Sequence, residues 1–386
     1  MIMTRGENVD TLIIGSGCAG SVVARVLAEK GQHVHIIEKR NHIAGNCYDE
    51  YDEHGVLIHA YGPHIFHTNE QDVYEFLSRF TDWYDYQHEV VGNVYDKIIP
   101  IPFNLNTLKI VFGEEKGSQL EQELIETYGY RAKVPILELQ KSASKGIQEV
   151  AQYVYENIFL KYTMKQWNQK PEEVDQSVTA RVPVVISYDN RYFQENYQGM
   201  PQKGYTKLFE NMLNHENIEI ELGKDAKEVL SFDFENYKIL YKGEIFDGHV
   251  IFTGAIDDFF NHCLGQLPYR SLRFEFEHYD QDDYQGHAVV NYTVSEDYTR
   301  ITEFKYLTGQ QIHGTTIVKE YPEVYKDSRQ VPYYAILNDE NRAMHQRYVD
   351  LVRPFEHFHL LGRLAQYRYY NIDGIVKEAL TLAKKI

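Results

Sequence analysis

The apolar run Thr11–Ile14 passes directly into Gly15-Ser16-Gly17-Cys18-Ala19-Gly20, and no other stretch restricts the fold as much. Apolar residues at helical spacing follow, from Ser21 to Glu29; Gly31 stops that helix, and His33–Ile37 gives a second strand ending at Glu38. Strand, glycine turn, helix, strand and acid in this order form a dinucleotide-binding βαβ unit. Gly15 permits the tight turn, Gly17 lets the backbone approach a pyrophosphate, and Gly20 lets the helix lie close to the strand. The helix N-terminus offers unpaired N–H groups and partial positive charge to the phosphates. Glu38 stands where an acid accepts hydrogen bonds from a ribose. The motif does not choose between NAD and FAD.

With 386 residues the chain buries a large core and divides into two or three domains. Its 39 basic and 57 acidic residues leave a net charge of −18, which argues against nucleic acid or an anionic membrane as partner. An anionic small substrate then needs deliberately placed arginines. The 32 tyrosines suit a polar ligand such as a sugar, although most must be ordinary half-buried residues. Cys18, Cys47 and Cys263 give no disulfide framework and no metal-ligand spacing, and Cys18 reads as a small filler of the glycine turn. Neither a signal peptide nor an apolar stretch of membrane-spanning length stands out, so a cytoplasmic enzyme is expected.

Lys39–Asn46 reads as a loop, and the chain continues through Asp49–His54 to Tyr61–Thr68. Helices are expected over Gln71–Phe80, Asn106–Phe112, Ser118–Tyr128, Gly146–Phe159 and Asp373–Lys385, with a fresh helix start at Pro171. Strands are expected over Asn93–Tyr95, Lys97–Ile99, Ile218–Leu222, His249–Phe252, Leu272–Glu277, Ala288–Val294, Thr299–Tyr306 and Thr315–Lys319. Phe358–Arg363 reads as strand then turn. The fold class is mixed α/β, with a discontinuous Rossmann-like cofactor domain over 1–80, 201–265 and 345–386. A helical domain over 104–175 and an antiparallel β domain over 81–103, 176–200 and 266–344 interrupt it. Interruption of this kind favours FAD over NAD.

Two histidines, His64 and His67, share a loop fixed by Pro63. A metal there needs a third ligand and a carboxylate behind it, neither visible, so no metal is expected. They are structural, or they line the cofactor. Tyr162 and Trp167 lie in a polar setting with Lys165, Gln166 and Asn168, as a packing anchor or a lid over a nucleotide base. Arg181 and Arg300, each in a β-rich segment, are surface charges or together a diphosphate clamp. Tyr192, Tyr333-Tyr334 and Tyr367–Asn371 add aromatic hydroxyls. There is no Ser-His-Asp spacing, no nucleophile elbow and no activated thiol.

Together, Tyr61–Thr68, Tyr162–Trp167 with Arg181, Tyr298–Glu303 and Gly362–Asp373 make the chain, over nearly its whole length, resemble the bacterial UDP-galactopyranose mutases. The resemblance implies an isomerase that interconverts UDP-galactopyranose and UDP-galactofuranose, supplying galactofuranose for cell-surface glycans. Reduced FAD would act through N5 at the anomeric carbon while UDP leaves and returns. It implies that Arg181 and Arg300 hold the two phosphates, with His64 and His67 beside the isoalloxazine. Tyr162 and Trp167 would cover the uracil, and Tyr192, Tyr334 and Tyr369 would reach phosphates and sugar. Gly15, Gly17, Cys18, Ala19, Gly20, Glu38, Lys39, Gly45, Asn46, Gly362, Arg363, Tyr369, Asn371 and Ile372 would hold FAD. A homodimer is implied as well.

Five positions depart from the family pattern. Ala44 stands for a second glycine, Phe304 and Tyr306 for histidines near the sugar, Asn371 for an aspartate, and Asn168 for a glycine. These changes leave open a UDP-N-acetylgalactosamine mutase, and the cofactor fold alone would also suit an amine-oxidase-like flavin oxidoreductase.

Overall fold

The computed structural model describes residues 9–161, 165, 183–294 and 296–386. Tyr162, Trp167, Asn168, the helix start at Pro171 and Arg181 therefore lie outside the described residues.

A parallel five-stranded sheet forms the base of the molecule, in the order Ile218–Leu222, Val34–Glu38, Thr11–Ile14, His249–Phe252 and Phe358–Leu360. Its central strands read as unbroken apolar runs because both faces are buried. Ile13 joins one core with Val22, Val23 and Leu27 of the Cys18–Glu29 helix and Val376 and Leu380 of the Ile372–Lys385 helix. Leu12 and Ile14 point the other way, into a second core with Phe252, Phe259 and Phe358. Strand periodicity thus divides one tetrapeptide between two cores.

The glycines of the first turn are required sterically. Gly15 has φ +103°, and a Cβ there would lie 2.2 Å from Thr253 Oγ1. A Cβ on Gly20 would lie 2.0 Å from the Gly15 carbonyl oxygen and 3.0 Å from Ile13 Cγ2. Helix and strand therefore touch through backbone, as the sequence implied.

A seven-stranded sheet faces this base. Its order is Tyr334–Ala335, Tyr269–Tyr279, Thr315–Val324, Arg300–Glu303, Val289–Tyr292, Val90–Val94 and Lys97–Ile101, antiparallel except where Val289–Tyr292 runs beside Val90–Val94. Buried Glu303 holds its loops: the carboxylate accepts from the N–H groups of Tyr284 and Gln285, both at 3.0 Å, and from Thr315 Oγ1 at 2.8 Å. Between residues 104 and 161 the chain is largely helical, with Leu105–Phe112, Glu114–Tyr128, Ile136–Leu139 and Lys145–Val154, and a wider turn over Tyr155–Leu160.

Several boundaries differ from the sequence reading. Tyr95 does not extend its strand; with Asp96 it forms a two-residue hairpin turn, both at positive φ. The Arg300 strand stops at Glu303, and a short helix, Phe304–Thr308, replaces its expected end. Phe304 is consequently buried in the core, and Tyr306 is exposed with its hydroxyl on Asp283. Helices over Tyr205–Leu213 and Asp339–Val352 and the hairpin Asp49–Tyr51/Leu57–His59 were not anticipated. The first of these helices is capped from far away: Asp49 accepts from Tyr205 N at 2.5 Å and Thr206 N at 2.8 Å.

Gly20→Ala should cost about 3 kcal/mol, the upper end of overpacking, because backbone cannot yield as a side chain does. Urea unfolding of the two proteins checks this.

Candidate active site

A cavity of about 490 Å³ lies where the parallel strands end, bounded by the glycine turn, the Ala44–Cys47 loop, His64, Thr253–Ala255, the 328–332 segment and the 362–372 segment. Ligands of open α/β sheets bind at this edge. Of the residues expected to hold FAD, Gly15, Gly17, Cys18, Ala19, Glu38, Lys39, Gly45, Asn46, His64, Gly362, Arg363, Asn371 and Ile372 all line it. Gly20 stands behind the wall, supporting the turn, and Tyr369 is outside this lining.

Two helices of twelve and fourteen residues begin at the cavity, at Cys18 and at Ile372. Neither Gly17 nor Asn371, the residues before them, caps its helix with a side chain; Gly374 N donates to Asp373 Oδ1 at 2.7 Å, and the N–H groups ahead of it, like those of the first helix, are left for a ligand. Gly17 and Gly45 bring two loops together: a Cβ on Gly45 would lie 2.9 Å from Gly17 Cα. Just before it, Ala44 is fully buried at φ +72°, the left-handed region that its expected glycine would occupy without strain.

Glu38 is committed to this loop. One carboxylate oxygen accepts from Ser16 N and Ser16 Oγ, both at 2.8 Å, and the other from Arg40 N at 2.8 Å. Arg40 is a cavity residue that the sequence reading missed. Its guanidinium stacks on Tyr61 at 4.2 Å and gives one bond to Asn46 Oδ1, while buried Nη1 has no acceptor among the described residues. Its only sequence signal is a basic residue two places after the ribose-binding acid. Burial pushes the Cys18 thiol well above its ordinary range and Cys47 up to about 12, so neither offers a thiolate.

His64 is held in one tautomer. Its Nδ1 lies 2.9 Å from the Gly62 carbonyl, which only accepts, so Nδ1 carries the proton and Nε2 is a bare acceptor. Its backbone N–H donates to His59 Nδ1 at 3.1 Å. Burial, with Arg363 adding to it, holds His64 down at about 3; burial holds His59 at about 4. His67 is not brought to the cavity. It lies on the Phe66–Thr68 strand, stacked at 3.5 Å on Phe193, with Nδ1 3.5 Å from Glu195. Tyr192 is on that side too, its ring edge-on to His88 and Phe193. His88, buried and bonded to the Tyr86 hydroxyl at 2.9 Å, is held at about 3 by burial, with Arg300 and His67 adding to it.

Beyond His64 the cavity wall continues into a cationic, tyrosine-rich cluster. Tyr334 and Tyr369 stack with ring centres 6.3 Å apart. The Arg363 guanidinium lies 5.0 Å from the Tyr369 ring and 6.0 Å from that of Tyr334, with Nε on the Tyr370 carbonyl at 2.7 Å. Burial and the neighbouring Tyr369 raise the Tyr334 phenol. Arg300 has its Nε 3.1 Å from Glu320 Oε1, and its charge adds to the lowering of both His64 and His88. Burial raises the Glu320 carboxyl, and Arg300 opposes that rise. Phe304, buried in the core, and Tyr306, exposed, do not line this cavity. Among the described residues there is no group of three or more His, Cys, Asp or Glu able to hold a metal, and no helix long and apolar enough to cross a membrane.

Residues 157–369 match the UDP-galactopyranose mutase family, more than half of the chain. The chain belongs to that family. Residues 13–80 also match the NAD(P)-binding Rossmann-like domain. The dTDP-fucopyranose mutase of Escherichia coli is 38% identical, over 97% of each chain. A probable UDP-galactopyranose mutase of Klebsiella pneumoniae is 36% identical, over 98% of this chain and 94% of its own. In fold the chain is similar to a crystal structure of reduced UDP-galactopyranose mutase, with TM-score 0.72 and 16% identity over 97% of this chain and 94% of that one. The chain is thus an enzyme of a sugar-nucleotide mutase family.

Two outcomes follow from these geometries. Ala44→Gly should stabilise the fold by about 1 kcal/mol through relief of the left-handed backbone, read from urea unfolding. The second concerns pH. His59 and His88 are neutral when folded and take protons near 6.5 when unfolded, so the unfolded chain binds more protons between about 6.5 and 4. Stability is full above that window and falls as pH drops through it. His88→Asn should flatten the slope by about 1.4 kcal/mol per pH unit; an unchanged slope would show that His88 is already charged.

Proposed function

We propose that the chain binds FAD and interconverts UDP-galactopyranose and UDP-galactofuranose. The glycine cradle, two open helix N-termini and the orphaned Arg40 Nη1 fit a dinucleotide pyrophosphate. The observation that carries the reading is the Arg363–Tyr334–Tyr369 cluster at the edge of this cradle, where the charges of Arg363 and Arg300 both act on Tyr334, in a chain of net charge −18. A cationic patch against that background suits an anionic sugar nucleotide.

The chemistry FAD supplies when bound in its reduced form is a nucleophile for the anomeric carbon. The protein's own part is binding and charge control. Arg300, restrained by Glu320, takes the substrate diphosphate and stabilises the charge that develops as UDP departs. Arg181 completes this clamp, and Tyr162 and Trp167 cover the base, keeping UDP near for return and excluding water. Tyr192, Tyr334 and Tyr369 reach the phosphates and the sugar. His64 presents Nε2 as an acceptor to a hydroxyl or to the cofactor edge. The cofactor domain is taken as 1–80, 201–265 and 345–386, and the helical block, with exposed Ile110, Tyr130 and Leu137, as the contact of a cytoplasmic homodimer.

A second reading has one observation behind it. The 38% identical relative is named for dTDP-fucopyranose, so a thymidine nucleotide of a 6-deoxy sugar is the competing substrate.

Chromatography of UDP-galactofuranose incubated with the protein, with and without dithionite, tests the assignment. Conversion to the pyranose under reduction alone is expected. Conversion confined to the dTDP-fucose pair would transfer the reading to that substrate. Arg300→Ala should lower turnover by about 10³-fold while FAD content is unchanged; near-normal turnover would remove Arg300 from the clamp.

A further inference from the structure

Arg270 is a buried cation without a protein partner among the described residues. It is the second residue of the Tyr269–Tyr279 strand, opposite Tyr334 on one side and Val324 on the other. The residue is 8% exposed and its Nε is enclosed without an acceptor. Among the described residues no carboxylate, carbonyl or ring meets its guanidinium, and burial is the one influence on its pKa, which it lowers. Arg300, by contrast, has Glu320. An arginine keeps its charge in any protein environment, and a buried charge without a counter-charge is costly. A ligand anion removes that cost.

Strand parity shows which way Arg270 looks. Residues 270, 272 and 274 share a face. Phe274 lies opposite Glu320, and Glu320 opposite Arg300, in an unbroken register. That face meets the His64 loop, because a Cβ on Gly62 would lie 3.0 Å from Phe274 Cζ and 3.9 Å from Glu320 Oε1. Arg270 therefore stands on the cleft side of the sheet, roughly 13 Å along the strand from the Glu320–Arg300 row. It also adjoins the cavity wall: Ser271 Oγ donates to the carbonyl of Val331, a lining residue, and Tyr333 N donates to the Arg270 carbonyl.

We propose that Arg270 anchors a phosphate oxygen of a nucleotide lying across this face, as a binding residue additional to Arg300. The phosphate comes from the cofactor's pyrophosphate or from the substrate's diphosphate. The inference rests on the reading above that both nucleotides share the cleft.

The test compares Arg270→Met and Arg270→Lys with the parent protein in three measurements: FAD content and the rate of FAD loss on dilution, UDP affinity by calorimetry, and melting temperature with and without each ligand. Arg270→Met should melt higher than the parent without added ligand, gain less from the ligand, and bind it at least tenfold more weakly; Arg270→Lys should recover part of the affinity. Weakened FAD retention identifies the cofactor phosphate, and weakened UDP binding with FAD intact identifies the substrate phosphate. Both affinities within twofold of the parent, or a lower melting temperature with unchanged ligand gain, would overturn the proposal and leave Arg270 structural. If Arg270→Met does not fold, Arg270→Gln takes its place. Were the parent protein itself to hold no FAD, the flavin reading would fail, and the UDP measurement would still decide Arg270.

Discussion

Backbone-to-backbone contact at the first glycine turn is the constraint on which the rest depends. Gly20 against the Gly15 carbonyl fixes the helix on its strand, and Gly17 against Gly45 fixes the neighbouring loop on the helix start. Once these four residues touch, the open helix end, the Glu38 carboxylate and Arg40 have one arrangement around the cavity. No side chain mediates the contact, so no side chain can repack to rescue it. Ala44 shows the tolerance of the design: a left-handed alanine is strained yet accepted, because the turn beside it is over-determined.

Electrostatically the molecule separates its roles. An excess of acids covers the chain as a whole, while four of its arginines, Arg40, Arg270, Arg300 and Arg363, stand partly or wholly buried around the cleft. Their partners differ in kind: a tyrosine ring for Arg40, a carboxylate for Arg300, two tyrosine rings for Arg363. Aromatic faces restrain a guanidinium without neutralising it, which keeps its charge for a ligand. The histidines near them are held neutral, so they add dipoles and acceptors rather than further charge.

Much of this was legible in the residues. The βαβ unit announces itself because each of its positions has a local steric reason, and the first strand, Thr11–Ile14, is marked by its apolar run. The segment from Gly362 to Ile372 was placed by resemblance, and it does reach the cavity. What escaped has non-local causes. Asp49 caps a helix that starts at Tyr205, a contact that no window of sequence contains. Tyr95 has a strand-forming side chain but sits in the turn, because the hairpin register leaves that place to it. His64 and His67 are three apart and end on different sides, since the loop becomes strand at Phe66 and the side chains then alternate. Arg270 carries no motif; its burial, and hence its interest, exists only once the sheet has formed.

The order of strands in the base sheet has a consequence in time. Thr11–Ile14 has neighbours from residues 34–38 and 249–252, and the sheet closes with Phe358–Leu360, near the end of the chain. The cavity takes its second open helix from residue 372 onward. A ribosome-bound chain therefore carries the glycine turn long before the opposite wall exists. Any ligand that needs both walls of the cavity must then be captured late in folding, and a chain without the Ile372–Lys385 helix lacks one wall however intact its glycine turn.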